Sequence, residues 1–470
     1  MKKSLFATIQ STFRDDEDFV VRTVRCGELF TVCNLDTMTD NAKVSQFVME
    51  PLVYVKTAQT VTDIQESLSA GAIVKPCPTA EAALQCIING YTLVFDYADD
   101  CIAVDTRTQT GRSIAEPPTS MVMRGPREGF VEDFKVNVTL LRKRLKTPAF
   151  RAVQLSVGKY TNTTVSVCYI DGVADKKVVG EIVQQLEKIN IDGIIDSSYL
   201  AKYLDTQRTA LFRRVGMTEK PDVAVGKMLE GRVAVIADGS PMVLTLPYLF
   251  VEDLQSPGDY YENAAMSTVN RALRFVSVLI SVLLPALYVC LQMYNYQIIP
   301  LKFLLTILNA TESIPFSPLA EMVLVIVIFD ILREANLRMP SAVGISLSLV
   351  GAIVLGDAAV KAGLIGAPAV MIGALSGIGL FTMPDNTLVL SLLRILLTII
   401  GGLSGILGVT LAMLVIMFYL CGLQSNKTPF LAPYAPDIPA DRQDAVAEMP
   451  IPEQKKRPRS IPNVNRTRRD

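Results

Sequence analysis

The stretch TVCNLDTMTDNAKVSQFV at 31–48 returns at 166–183 as SVCYIDGVADKKVVGEIV. At a spacing of 135, Cys33 falls on Cys168, Asp36 on Asp171, Asp40 on Asp175, Val44 on Val179 and Val48 on Val183. Each copy reads as a β-branched run, an Asp-containing turn, then a helix with apolar residues at helical spacing. Asp40 and Asp175 stand at helix N-cap positions, where a short oxygen-bearing side chain accepts an orphan backbone N–H. A second pair follows: GYTLVFDYADDCIAVDT (90–106) and GRVAVIADGSPMVLTLP (231–247). Both read as strand, tight turn, strand, with Asp and Gly making the turns. Helices are expected before them, at Ala80–Asn89 and Asp222–Glu230. The fold expected at the N-terminus is therefore α/β, built from two similar subdomains at 20–115 and 151–260 after a short tail at 1–19.

Residues 116–150 connect the two. Pro117 and Pro118 break structure, and Val131–Lys146 reads as an amphipathic helix. Its apolar face carries Phe130, Phe134, Val138, Leu141 and Leu145. Arg142, Lys143, Arg144 and Lys146 crowd its C-terminal end, where cations suit the helix dipole. Arg127, Glu128, Glu132 and Asp133 are expected to link the subdomains. The Gly-Pro-Arg-Glu-Gly at 125–129 lacks the spacing of a phosphate-binding loop.

Composition changes beyond this region. The 470 residues are half hydrophobic and 19% charged, with a mean hydropathy of +0.35. Residues 1–271 hold 30 basic and 34 acidic side chains, 272–423 only 6 of each, and 424–470 hold 9 basic and 6 acidic. A soluble region, an all-α polytopic membrane domain (261–423) and a Pro-rich, basic, disordered cytoplasmic tail (424–470) are expected. Near-balanced charge, 45 basic against 46 acidic, argues against nucleic-acid binding. The absence of His excludes His-based metal sites and triads. With no nucleophile motif either, neither an enzyme nor a cofactor site is expected. The eight cysteines form no Cys-x-x-Cys pair and read as free, reduced thiols.

Apolar runs at Leu273–Met293, Leu319–Ala335, Ser341–Ala362, Leu364–Met383 and Leu388–Leu423 are span candidates for a hydrocarbon core of about 30 Å. Ile298–Ala310 is too short to cross. Arg271 and Arg274 before the first run, and seven basic residues from Lys455 to Arg469, place both termini in the cytoplasm. Both ends inside demands an even number of crossings, four or alternatively six. Leu388–Leu423, interrupted by Gly401 and Gly402, need not be a simple span. Gly373 with Gly377, and Gly401 with Gly405, have the small-xxx-small spacing that lets helices approach closely, within the chain or between subunits. The basic end of the tail suits anionic lipid headgroups, or only sets orientation.

Charged residues within apolar runs are costly and need partners or water. Glu321, Asp330, Arg333, Glu334, Asp357, Lys361 and Arg394 are thus ion-path candidates. The plainer alternative for Arg333, Glu334 and Arg338 is snorkelling at an edge, and for Asp357 and Lys361 a surface pair.

Several long stretches carry a family resemblance. RGPREGFVEDFKVNVTLLRKRLKTPAF (124–150), YIDGVADKKVV (169–179), LEKINIDGIIDSSYL (186–200) and TEKPDVAVGKMLEGRVAVIADGSPMVLTLPYLF (218–250) resemble the GerA family of spore germinant receptor A subunits. QSPGDYYENAAMSTVNRALRF (255–275), LREANLRMPSAVG (332–344) and FTMPDN (381–386) are similar to it as well. The resemblance implies a multi-pass subunit in the spore inner membrane, working with a B subunit and a lipoprotein C subunit. It implies a subunit that oligomerises and contributes to a ligand-gated ion path. The alternatives are a stage V sporulation AF-type accessory of dipicolinate release and a secondary transporter; duplication confined to the soluble region counts against the latter.

Overall fold

Asp40 and Asp175 each accept a backbone N–H from two residues on, both at 2.9 Å, and so start the helix that follows the first hairpin of each lobe. The computed structural model describes residues 4–54, 60–67, 72–108, 124–207, 210–312, 314–338 and 354–468. The first lobe runs α1 (Leu5–Thr12), β1 (Phe19–Cys26), β2 (Glu28–Leu35) and α2 (Asn41–Val44). A π-turn at Ser45–Met49 leads to α3 (Glu50–Tyr54), followed by α4 (Val61–Ser67), β3 (Val74–Pro76), α5 (Ala80–Ile88), β4 (Tyr91–Phe95) and β5 (Cys101–Asp105). The second lobe repeats this plan with α6 (Phe134–Arg144), β6 (Phe150–Val157), β7 (Thr163–Ile170), α7 (Lys176–Glu187), α8 (Ser197–Leu204), β8 (Gly216–Thr218), α9 (Pro221–Leu229), β9 (Val233–Ala237) and β10 (Val243–Leu246).

The duplication extends to topology and register. One antiparallel sheet is ordered β1-β2-β4-β5-β3 and the other β6-β7-β9-β10-β8. Cys33 pairs with Leu93 in the first sheet, and Cys168 with Ala234 in the second. Every residue of the central strands β4 and β9 is buried, because helices cover both faces of each sheet. In the second lobe α7 and α8 pack one face and α6 and α9 the other. Helix α6 starts at Phe134 rather than Val131, since Asp133 caps it and the Asn137 side chain binds the Val131 N–H at 2.8 Å.

Beyond the lobes lie α10 (Ala264–Met293), α11 (Leu301–Thr311), α12 (Pro318–Arg338), the short α13 (Ala359–Lys361), α14 (Ala367–Leu380) and α15 (Thr387–Gly422). Two helical stretches, Ala264–Met293 and Pro384–Gly422, are long and apolar enough to cross a membrane. Most of the predicted Ser341–Ala362 run lies outside the described residues.

Helix α15 is not one rod. Gly405 has φ +66° and ψ −159°, a conformation that only glycine adopts without strain. A Cβ on Gly401 would lie 3.2 Å from Val409, and one on Gly408 would lie 3.0 Å from Ile400. Residues eight apart in a straight helix are about 12 Å apart along the axis, so the chain folds back at Gly405. Leu393 accordingly packs with Ile416 and Leu420. The interruption falls at Gly405, not at Gly401–Gly402 as the sequence implied. Gly402 is instead where Leu319 of α12 approaches to contact distance.

The tail also departs from expectation. Instead of being disordered, 424–468 wraps the second lobe in turns anchored by buried Phe430, Ala432 and Ile461. A two-residue hairpin with Asn426 and Lys427 at positive φ starts it. Phe430 joins Phe212 and Phe250 in an aromatic cluster, and Val464 donates to the Val173 carbonyl at 3.0 Å. Its prolines preset turns, and two of its cations hold it to the second lobe: Arg468 binds Glu230 at 2.7 Å and Arg457 the Leu229 carbonyl at 2.6 Å.

Candidate functional site in the helical region

Helix α10 leaves the lobes through a cluster of charges. Arg271, fully buried, meets Asp259 at 3.3 Å, Asp444 at 2.8 Å and Glu448 at 3.2 Å. Arg274 meets Asp259 at 2.6 Å. Asp444 and Glu448 belong to the tail, so the tail is fastened to the base of α10. The base of the α15 hairpin is tied to the second lobe as well. Arg213 binds Asp385 at 2.7 Å, the Tyr419 hydroxyl accepts the Leu211 N–H at 2.7 Å, and Arg214 donates to the Gln424 carbonyl at 2.8 Å. Beneath them, Tyr248 donates to Asp253 at 2.6 Å. Burial pushes the Asp253 carboxyl up to about 7, against the pull of the Tyr248 hydroxyl and Arg213.

The far ends of the helices are joined too. Tyr294, at the C-terminal end of α10, donates to the Gly402 and Leu403 carbonyls at 3.0 and 2.9 Å. These carbonyls lie at the fold-back, where helical partners are missing. The directions of three helices follow. Helix α10 runs away from the lobes, α12 runs toward them from Leu319 beside Gly402, and α14 runs toward them from Gly366 beside Glu321.

The charged candidates fall into three settings. Asp330 and Arg394 meet at 2.8 Å between α12 and α15. Arg333 lies 3.3 Å from Asp330, and the Ser391 hydroxyl donates to Asp330. Arg394, fully buried, also donates to the Ser376 hydroxyl at 3.1 Å, which donates to the Ser281 carbonyl at 2.6 Å. Four helices thus share one polar network. Glu334 pairs with Arg338, and Lys361 with Asp357, both at 2.7 Å on exposed faces. Glu321 stands apart. It is 1% exposed, accepts the Gly366 N–H at 2.6 Å at the start of α14, and has no cationic partner among the described residues. Tyr288 lies beside it, with Gln292 next in line.

The glycine candidates also divide. Gly373 abuts Val325 of α12, Gly401 the Ala286 carbonyl of α10, and Gly405 the Tyr294 ring, whereas a Cβ on Gly377 would meet nothing. In the soluble region Asp133 caps α6, Glu128 pairs with Arg144 at 2.7 Å and the Glu132 carbonyl accepts the Gly239 N–H at 2.8 Å. Arg127 neighbours these residues in sequence, and none of the contacts just named reaches the first sheet. The lobes are joined by Arg142, which meets Asp16 at 2.7 Å and Asp18 at 3.1 Å with both carboxylates buried, and by Lys135, 2.6 Å from Asp36. Sequence reading assigned Arg142 to the helix dipole; the acidic run at Asp15–Asp18 was the available sign of a cationic partner.

Among the described residues no group of three or more Cys, Asp or Glu is arranged to hold a metal ion. Residues 7–460 match the model of the family described as Bacillus/Clostridium GerA spore germination protein. The chain is 34% identical to spore germination protein KA of Bacillus subtilis (strain 168), covering 96% of this chain and 85% of that one. It is 30% identical to spore germination protein A1 of the same organism, covering 99% and 96%. A crystal structure of the N-terminal domain of the A subunit of the Bacillus megaterium spore germinant receptor GerK3 aligns with 52% of this chain and 94% of its own at 24% identity and a TM-score of 0.40. With the family model spanning nearly its whole length, this chain belongs to the GerA family of spore germination proteins.

Proposed function

We propose that this chain is the A subunit of a nutrient germinant receptor in the spore inner membrane and contributes to its ligand-gated ion path. Glu321 is the observation that carries the ion-path reading. A carboxylate buried among apolar helices without a cation is expensive, and such a residue marks a pathway for ions or protons. The single backbone N–H of Gly366 leaves oxygen lone pairs for a passing cation. Asp330 plays a different part: paired with Arg394 and Arg333, it locks α12, α14 and α15 together. Glu334, Arg338, Asp357 and Lys361 lie at exposed edges.

The same reading takes the helical region as multi-pass, with an even number of crossings and both termini on the cytoplasmic side. Its support is the directions of α10, α12 and α14 and the fold-back at Gly405. Each half of α15 is about 25–27 Å long, close to the thickness of a hydrocarbon core. The lobes transmit the nutrient signal through Arg213–Asp385 and the Arg271 cluster, which grip the bases of α15 and α10. The open face of α14 at Gly377 is where a second copy of the chain packs. The B subunit and the lipoprotein C subunit complete the receptor. Affinity capture of the tagged chain from spore membranes tests the assignment: co-purification of B and C subunits is expected, and their absence from an intact membrane extract contradicts it.

A further inference from the structure

Four of the eight cysteines gather in one core of the first lobe. Cys33 on β2, Cys101 on β5 and Cys77 just after β3 are buried there, and Cys86 on α5 packs against them half-buried. The Cys77 and Cys86 sulfurs are 3.6 Å apart. The Cys77 N–H donates to the Cys101 carbonyl at 2.9 Å, which fixes the residue after the edge strand. A disulfide needs about 2.05 Å between sulfurs, so the two sulfurs must approach by about 1.5 Å to bond.

The twin lobe shows that the scaffold does not require Cys77, Cys86 or Cys101. Strand register and helix bounds place Thr218 where the first lobe has Cys77, Lys227 where it has Cys86, and Val243 where it has Cys101. The same fold is thus built once with these three thiols and once without them.

We propose that Cys77 and Cys86 are a reversible dithiol site oxidised by small peroxides. The environment suits the chemistry. Hydrogen bonding from Cys101, with help from Cys86 and the Lys75 ammonium, lowers the Cys77 pKa against the effect of burial. Cys86, half-buried, gives a small oxidant its approach. The Cys77 thiolate attacks one peroxide oxygen; the S–O bond forms, the O–O bond breaks, and the departing hydroxide takes up a proton. The Cys86 thiol then loses its proton and attacks the Cys77 sulfur; the S–S bond forms, the S–O bond breaks, and water leaves. Two thiols lose two electrons and hydrogen peroxide becomes two waters. A dithiol reductant reverses the step. Oxidation would tie α5 to the end of β3.

Full-length protein in detergent, treated with hydrogen peroxide, quenched and digested without reduction, tests the proposal. A Cys77–Cys86 cross-linked peptide is expected, abolished by dithiothreitol. Loss of free Cys77 should be at least ~10-fold faster than loss of buried Cys168 or Cys290. In Cys86→Ser and Cys86→Ala, dimedone should capture Cys77 as its sulfenic acid. Free Cys77 and Cys86 persisting after exposed Cys421 has been oxidised would overturn the proposal. So would Cys77 linked to Cys101 instead, or no dimedone adduct in either Cys86 variant.

Discussion

Arg394 and Asp330, 64 residues apart in sequence, face each other at 2.8 Å between α15 and α12, with the arginine fully buried. Removing one partner of a buried pair leaves an uncompensated charge, which costs about 3–5 kcal/mol. Asp330→Asn and Arg394→Gln should each lower the thermal unfolding midpoint of the purified chain in detergent. The exchange Asp330→Arg with Arg394→Asp should recover more than half of the loss. Equal instability of the exchanged chain and the single variants would show that the pair does not hold these helices together.

The Gly405 fold-back makes a topological prediction. Asp385 and Cys421 belong to one side, and Asn295 next to Tyr294 to the other. In sealed vesicles with Cys421→Ser as background, Asp385→Cys and a restored Cys421 should react with an impermeant maleimide from one side, and Asn295→Cys only from the opposite side. Gly405→Ala should cost about 1–3 kcal/mol, because its φ of +66° is unfavourable for any side chain. Labelling of Asp385→Cys and Cys421 from opposite sides would mean that α15 crosses once.

Much of the soluble fold was legible because its signals are local. Asp40 and Asp175 marked helix starts, and the β-branched runs around Cys33 and Cys168 marked β2 and β7. Both lobes inherit one pattern, so a spacing of 135 residues exposed the duplication. The helical region was less legible. Mean hydropathy finds apolar runs but cannot tell a rod from a hairpin, and Gly401, Gly402 and Gly405 look alike until one adopts positive φ. Pairings such as Asp330 with Arg394, or Arg142 with Asp16, join residues far apart in sequence, and charge alone did not select them. The tail misled because proline and charge usually mean disorder, whereas here Phe430 and Ile461 find apolar pockets and Asp444 finds Arg271.

Asp253 predicts a pH dependence in the second lobe. Its carboxyl rises from 3.8 to about 7 through burial, so the folded lobe binds the extra proton between those values. Stability from this group is therefore fully present below about pH 4 and is lost as pH rises through about 7, with an upper bound of about 4 kcal/mol. Asp253→Asn keeps an acceptor for the Tyr248 hydroxyl and should flatten the decline in unfolding midpoint between pH 5 and pH 8 (roughly the window of the shift). An unchanged slope in Asp253→Asn would assign the pH dependence to other groups.

Cation release from spores on addition of the receptor's nutrient, with variants at Glu321 replacing the native chain at matched receptor level, tests the account most directly. Glu321→Gln keeps the acceptor for the Gly366 N–H but removes the charge; it should slow release at least ~10-fold, while Glu321→Asp retains part of it. Release from Glu321→Gln spores at the native rate would place the ion path elsewhere.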